Sequence, residues 1–160
     1  MILPKKYFVT KGKGVSSVSP LMAFNNALRE AGIHGLNLVP VSSILPPNIV
    51  EETPRRLPEG SIVFLVMSEK RVKGPAKISV GISWARGHPH GYVIEFHDGN
   101  SYKDARDRLA EMWEEIRAKD RLNMEEPRYI IEELDVPDGM YGSAVVALVF
   151  SEYDFLKGVP

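Results

Sequence analysis

The chain has 160 residues, a formal net charge of -1 and no cysteine. This length suits a single domain built around one hydrophobic core. Acidic and basic residues nearly balance and form no basic cluster, so no nucleic-acid partner is expected, and the lack of cysteine excludes disulfides and thiolate metal sites. No apolar run approaches the length needed to cross a bilayer, so we expect a soluble, cytoplasmic protein without a membrane partner.

Two helices are predicted from capping residues and helical periodicity. The first begins at Ser19, which is followed by a proline in the first helical position, and it ends at Gly32. The second begins at Ser101, forms a capping-box-like start with Asp104, and has apolar residues at helical spacing up to Lys119. The second helix should therefore bury one face.

Segments rich in β-branched and aromatic residues predict the strands. They are residues 7–10, 36–41, 61–67, 77–84, 92–97, 129–134 and 144–150. Strands and helices in this mixed order predict an α+β domain and not a doubly wound parallel sheet. Residues 51–60, where proline and glycine lie among charges, are predicted to be a loop. Residues 11–17 are predicted to be a flexible loop, because their lysines and glycines lack the spacing of a phosphate-binding loop.

The most informative short segment is an apolar strand that leads into Ser42, Ser43 and a turn stiffened by two prolines. Serine pairs at strand ends are common, because their hydroxyls bond to nearby backbone, so the pair alone favours a structural role. The chemical alternative is that the Ser43 hydroxyl attacks the carbonyl carbon of Ser42 and converts the amide into an ester. Such an attack requires a strained, constrained backbone, and proximity then supplies the rate.

Several segments together resemble the pyruvoyl-dependent arginine decarboxylase family. The self-processing site of that family is similar to Asn37, the short apolar strand after it, and the Ser-Ser-Ile-Leu-Pro-Pro sequence at residues 42–47. Its first helix resembles residues 23–28, and its strand with a catalytic glutamate resembles residues 91–96, which include Glu95. The order and spacing of these segments agree from the first helix to the final strand, whereas any one of them alone would be unconvincing.

The resemblance implies a fold and an assembly. The fold is a single domain, residues 1–160, arranged as a four-layer αββα sandwich that cuts itself between Ser42 and Ser43. The resulting chains, residues 1–42 and 43–160, are implied to stay intertwined, because the first supplies the strand that leads to the site. The family forms trimers with active sites between neighbouring subunits, so a homo-oligomer is expected.

The resemblance also implies the chemistry. Ser43 becomes a pyruvoyl group, which serves as the cofactor in place of pyridoxal phosphate or a metal. A Schiff base between this group and the substrate then permits decarboxylation, most simply of L-arginine to agmatine and carbon dioxide in polyamine biosynthesis. Asn37 is implied to donate a hydrogen bond to the oxyanion formed during cleavage. Glu95, among apolar neighbours, is implied to act as the proton donor.

One residue expected to contact the substrate differs from the family pattern. A guanidinium needs a planar carboxylate partner, and the family commonly has an aspartate on its first helix where this chain has Asn25. Glu30 is a candidate to compensate, although a helical glutamate more often faces solvent. Arginine is the expected substrate on family grounds, and another amino acid such as lysine, ornithine or histidine is the alternative.

Two further readings follow from the residues themselves. The chain is alternatively a non-catalytic α+β homologue, in which the serine pair is structural and the protein acts as a subunit or binding module. His88, His90 and His97 lie close together in the sequence, but the proline between the first two favours an exposed loop. Because no carboxylate motif has metal-site spacing, no metal is expected.

Overall fold

The computed structural model describes residues 1–158 and shows a mixed α+β domain with two helices and three sheets. In chain order the elements are β1 (Ile2–Ser16), α1 (Pro20–Glu30), β2 (Asn37–Pro40), β3 (Ile44–Leu45), β4 (Val50–Glu51), β5 (Ile62–Lys73), β6 (Ala76–Ala85), β7 (Gly87–His88), β8 (Gly91–Gly99), α2 (Tyr102–Lys119), β9 (Asn123–Met124), β10 (Arg128–Val136) and β11 (Tyr141–Phe155). The α+β class predicted from the sequence is therefore confirmed.

The larger sheet has five strands in the order β2-β5-β11-β1-β4. Strands β1 and β5 run antiparallel to β11 on its two sides, and the short strands β2 and β4 run parallel to their neighbours at the edges. Residues 142–150 of β11 are all buried, as expected of a central strand covered on both faces. Strand β1 comes from the start of the chain and occupies an interior position beside it.

The second sheet has four strands in the order β10-β6-β8-β3, and each neighbouring pair is antiparallel. Strands β7 and β9 form a separate two-stranded sheet. Short strand β3 lies at an edge of the four-stranded sheet, where it pairs with β8 through Ile44 opposite Tyr92 and Leu45 opposite Gly91.

Side chains on opposite faces of β11 enter different hydrophobic clusters, because successive residues of a strand point to opposite sides. Val145, Ala147 and Val149 pack in a cluster with Ala27 and Leu28 of α1. The intervening residues pack in a second cluster with side chains of the four-stranded sheet. That second cluster includes Ala144, Val146, Leu148, Phe150, Ile78, Val80, Ile82, Trp84 and Val93.

Helix α1 approaches strand β1 very closely, and this corrects one prediction. Residues 11–17 were expected to form a loop, but β1 continues to Ser16. A Cβ atom on Gly12 would lie 2.2 Å from the carbonyl oxygen of Ala27, and one on Gly14 would lie 2.6 Å from the Ala27 nitrogen. These glycines make room for the helix backbone, so their role is packing and not turn formation.

Helix α2 packs on the four-stranded sheet through a third cluster that contains Ala105, Leu109 and Ile131. The Ser101 side chain caps this helix by accepting a hydrogen bond from the Asp104 amide. Both predicted helices are confirmed, and each predicted strand overlaps an observed one. Neither helix in residues 1–158 is long and apolar enough to span a membrane.

Candidate active site

The peptide bond between Ser42 and Ser43 lies where the chain passes from one large sheet to the other. Just before it, the Val41 amide donates a 2.9 Å hydrogen bond to the carbonyl of Leu65 in the five-stranded sheet. Just after it, the Ser43 carbonyl accepts a 2.8 Å hydrogen bond from the Val93 amide in the four-stranded sheet. The bond is therefore held from both sides within residues 41–43.

Proline residues explain why both neighbouring strands are short. Pro40 is the last residue of β2, and Pro46 follows the last residue of β3. A proline has no amide hydrogen to donate to a strand partner, so it interrupts the pairing of a sheet. The sequence itself thereby confines the serine pair to the passage between the sheets.

A groove of about 280 Å³ lies beside the serine pair. Ser42 is exposed and contributes to its wall, while Ser43 is half-buried. The remaining lining residues are mainly apolar: Ile2, Pro4, Val41, Ile44, Pro46, Phe64, Phe150 and Tyr153. The groove can therefore accept the apolar part of a small molecule next to the Ser42–Ser43 bond.

Neither hydroxyl of the serine pair forms a hydrogen bond within residues 1–158. Six other serine hydroxyls of the chain do form them. Those are Ser16, Ser19, Ser68, Ser83, Ser101 and Ser151. The hydroxyls of Ser17, Ser61, Ser79 and Ser143 also have no partner among residues 1–158, so this feature alone does not distinguish the pair from structural serines.

The strand register brings Ser43 and Glu95 to the same face of the four-stranded sheet. Because Ile44 lies opposite Tyr92, Ser43 lies opposite Val93, as the hydrogen bond between them also requires. Glu95 is two residues beyond Val93 on β8 and therefore points to the same side. Val93 belongs to the cluster shared with the five-stranded sheet, so this face is directed toward that sheet.

Glu95 combines access to solvent with a partly desolvated carboxyl group. Its side chain is exposed at the protein surface, yet partial burial among its neighbours raises the pKa of the Glu95 carboxyl, and the charge of nearby His97 acts in the opposite direction. Burial stabilises the neutral form of a carboxyl group. Glu95 can therefore hold a proton at a higher pH than an ordinary surface glutamate.

Asn37 does not reach the serine pair within one protomer. Its side chain is exposed and its Nδ2 atom donates a 2.9 Å hydrogen bond to the carbonyl of Gly60. The chain from Asn37 is extended through Pro40, so at about 3.3 Å per residue Asn37 lies roughly 16 Å from Ser42. Within one protomer, the structure therefore separates two residues that the family resemblance places in one site.

Asn25 and Glu30 are also remote from the serine pair. Both lie on α1, where Asn25 is half-buried and Glu30 is exposed. Helix α1 packs against the five-stranded sheet through the cluster that contains Val145 and Val149, on the opposite side of β11 from the cluster shared with the four-stranded sheet. These residues can meet Ser43 only if they come from a second copy of the chain.

A polar cluster that sequence reasoning missed holds the segment that follows Ser43. The buried Tyr7 hydroxyl is 3.2 Å from the Glu51 carboxylate and 3.1 Å from the Trp84 indole nitrogen, and Arg128 pairs with Glu51 and lies over the Trp84 ring. Desolvation, the largest influence, raises the pKa of Tyr7. Tyr7 and Trp84 fall in predicted strands, but Glu51 falls in a predicted loop, so no sequence signal connects them.

His88, His90 and His97 each have different neighbours. His88 lies in β7 opposite Asn123, the His90 ring stacks edge-on against Tyr92, and His97 lies on β8. Across residues 1–158, no group of three or more histidine, aspartate or glutamate side chains is arranged to hold a metal ion.

The local geometry fits a pyruvoyl group formed from Ser43. Such a group has no amino-terminal N–H to satisfy, and the Ser43 hydroxyl that it replaces has no partner to lose. The carbonyl of residue 43 is already fixed by the Val93 amide. Ser43 also shares one face of the four-stranded sheet with the partly desolvated Glu95 carboxyl, so the residues present are compatible with a pyruvoyl group at position 43.

Comparison with known proteins identifies the family. The model of the pyruvoyl-dependent arginine decarboxylase family matches residues 6–155, nearly the whole chain. The protein therefore belongs to the pyruvoyl-dependent arginine decarboxylase family, as the sequence resemblance predicted.

Three relatives show how far the similarity extends. Pyruvoyl-dependent arginine decarboxylase 1 of Archaeoglobus fulgidus is 38% identical over 93% of this chain and 99% of its own length, and the enzyme of Methanopyrus kandleri is 35% identical over 94% and 99%. Pyruvoyl-dependent arginine decarboxylase 1 of Methanosarcina acetivorans is 45% identical over 60% of this chain. That match spans only 62% of the Methanosarcina protein.

Proposed function

We propose that this protein is a self-processing pyruvoyl-dependent decarboxylase that converts L-arginine to agmatine and carbon dioxide. The observation that carries the proposal is the Ser42–Ser43 bond, held between two sheets on the face that also presents Glu95. The family and the names of these relatives support arginine as the substrate.

Self-processing begins with attack of the Ser43 hydroxyl on the carbonyl carbon of Ser42. The amide becomes an ester, and elimination then releases Ser42 as a new carboxyl terminus and leaves residue 43 as dehydroalanine. Addition of water and loss of ammonia convert dehydroalanine into the pyruvoyl group. The hydrogen bonds at Val41 and Ser43 fix the two sides of the bond, so little orientational entropy remains to be lost.

Glu95 supplies the proton that replaces carbon dioxide on the substrate carbon. When present, the pyruvoyl group withdraws electrons from the substrate and thereby permits loss of carbon dioxide. The raised pKa of Glu95 keeps more of the carboxyl in the protonated form that this step needs. Its exposure on the shared face allows the carboxyl to take up a replacement proton from solvent afterwards.

Substrate recognition involves a neighbouring copy of the chain. Asn25 and Glu30 are on the far side of the five-stranded sheet from Ser43, so the proposed assembly, a trimer or a multiple of it, places α1 of one protomer near Ser43 of the next. Asn37 likewise acts as the oxyanion donor toward the serine pair of a neighbouring protomer. Asn25 carries no charge, so Glu30 is the carboxylate of α1 available for a guanidinium.

The proposed arrangement is a four-layer αββα sandwich. Its support is the three hydrophobic clusters, which join α1 to the five-stranded sheet, that sheet to the four-stranded sheet, and the four-stranded sheet to α2. Cleavage divides this single domain into residues 1–42 and 43–160, and the second chain carries the pyruvoyl group.

Intact mass spectrometry of the purified, denatured protein tests the proposal. We expect two fragments, residues 1–42 and 43–160, with the second lighter by one ammonia than simple hydrolysis predicts. Ser43→Ala should stay one chain without activity. Ser42→Ala keeps the attacked carbonyl and should at most slow cleavage. A wild-type chain that stays whole after prolonged incubation contradicts self-processing and favours the non-catalytic alternative.

Release of carbon dioxide from a panel of amino acids tests the substrate. Arginine should react best, and lysine, ornithine and histidine are included because Asn25 lacks a charge. Glu95→Gln should cleave normally and lose decarboxylation by at least about 100-fold, since a proton donor contributes a factor of this order. Full activity of Glu95→Gln would remove Glu95 from the mechanism.

A further inference from the structure

Strand β8 contains a β-bulge immediately after the segment that carries Glu95. The flanking register pairs are Gly81 with Phe96 and Ser79 with Gly99. Between these pairs β6 contributes the single residue Val80, whereas β8 contributes two, His97 and Asp98. Bulges of this kind redirect side chains and are frequent next to active sites.

The bulge directs Asp98 toward the five-stranded sheet, on the face that Glu95 occupies. Lys70 of β5 pairs with Asp98, with 2.9 Å between Nζ and Oδ1. Strand β5 also contacts β8 directly, since the Ser68 hydroxyl donates a 2.7 Å hydrogen bond to the Phe96 carbonyl. His97 is beside Asp98, with 3.6 Å between its Nε2 and an Asp98 oxygen.

His97 therefore neighbours two carboxyl groups, Glu95 and Asp98, that differ in their partners. The hydrogen bond from Lys70 is the largest of the influences that lower the pKa of Asp98, so that carboxylate stays ionised and is already paired. Glu95 has no cationic partner of this kind within residues 1–158, and the charge of His97 opposes the effect of burial on its pKa. Residues two apart on one strand face are near enough for such an interaction.

We propose that His97 is a positioning residue that sets the pH range over which Glu95 carries its proton. This role rests on the proposed function of Glu95 as proton donor. A positive imidazolium favours the Glu95 carboxylate, and loss of that charge favours the protonated donor. Replacing the His97 imidazole with a neutral side chain is therefore expected to change the pH at which Glu95 takes up its proton.

Few other charged groups near His97 could change the protonation of Glu95. Within residues 1–158, the charged groups found near His97 are Glu95 and Asp98 on its own strand and Lys70 of β5, which pairs with Asp98. Helix α2 packs on the opposite face of β8, against Ile94 and Phe96, so its many charged residues do not face the pair. His97 is exposed, and its replacement should not disturb the core.

The first test needs no pyruvoyl group. Carbon NMR of labelled glutamate in the uncleaved Ser43→Ala chain follows the Glu95 carboxyl, whose resonance is identified by its absence from Glu95→Gln. His97→Gln removes the positive charge, and it should raise the Glu95 midpoint by about 0.5 pH unit. His97→Lys keeps a positive charge and should leave the midpoint at or below that of the Ser43→Ala parent. Equal midpoints in His97→Gln and in the parent overturn the proposal.

The second test uses the cleaved wild-type enzyme. Decarboxylation should fall as pH rises through the Glu95 midpoint, and His97→Gln should move this fall to higher pH by a similar amount. The matched control is His88→Gln, an exposed histidine on β7, which should leave the profile unchanged. A wild-type enzyme that decarboxylates no amino acid refutes the proposed function, whereas an active enzyme with the same profile in His97→Gln refutes only the role of His97.

Discussion

Tyr7 joins the two segments that self-cleavage is proposed to separate. It belongs to the residues before Ser43, it is fully buried, and its hydroxyl contacts Glu51 and Trp84 in the residues after Ser43. Removing the hydroxyl leaves the buried Trp84 indole N–H without an acceptor. An unsatisfied buried donor of this type costs about 1–3 kcal/mol.

Tyr7→Phe should therefore lower the free energy of unfolding by that amount, as measured by urea denaturation in the uncleaved Ser43→Ala background. Tyr102→Phe is a suitable control, because Tyr102 is exposed and its hydroxyl makes no hydrogen bond within residues 1–158. Equal denaturation midpoints for Tyr7→Phe and Tyr102→Phe would show that the polar cluster contributes nothing to stability.

At the scale of secondary-structure elements, the contact between β1 and α1 depends on glycine residues in β1. A Cβ atom at position 12 would lie 2.2 Å from the carbonyl oxygen of Ala27 and 2.7 Å from the Ala31 nitrogen, and both are backbone atoms that cannot rotate away. Gly12→Ala must therefore push the helix off the sheet, at a cost of at least about 1–3 kcal/mol. Urea denaturation measures the loss, and Gly158→Ala, which meets nothing within 4 Å, should not change stability.

The same glycines show why local pattern predicts some elements and not others. Residues 7–10 have the aromatic and β-branched side chains that strands favour, so their structure is predictable. Residues 11–16 continue that strand against their own propensity, because pairing with β11 and the close approach of α1 favour it. The local sequence of residues 11–16 does not show that α1 packs against them. Their alternating lysines and glycines therefore indicated a loop.

The candidate site, too, could be predicted from the sequence only in part. The resemblance predicts Ser43 and Glu95 as site residues, but their common face follows from the register of the two-residue strand β3 against β8, and strand order cannot be read from the sequence. Asn37 and Glu95 are equally well marked in the sequence, yet only Glu95 shares a face with Ser43 in one protomer. Proximity across strands or between protomers is a property of tertiary and quaternary structure.

At the scale of the whole molecule, the position of β1 determines what the proposed self-cleavage would do to the fold. The first segment, residues 1–42, provides β1, α1 and β2, and β1 lies between β11 and β4 within the five-stranded sheet. Its register with β11 extends from Ile2 opposite Phe155 to Ser16 opposite Tyr141. Separating the fragments would expose this ladder and the α1 cluster together, so a cut at residue 42 leaves the principal packing intact.

We therefore expect the cleaved protein to remain one particle until it is denatured. Native mass spectrometry should detect both fragments in every particle, in equal numbers, and size-exclusion chromatography in urea should separate them. The Ser43→Ala chain is the matched control, since it has the same packing without the cut and should have the same native size. Release of residues 1–42 in native buffer would mean that the Ser42–Ser43 bond itself holds the sheets together, in which case cleavage would destroy the face on which Ser43 and Glu95 meet.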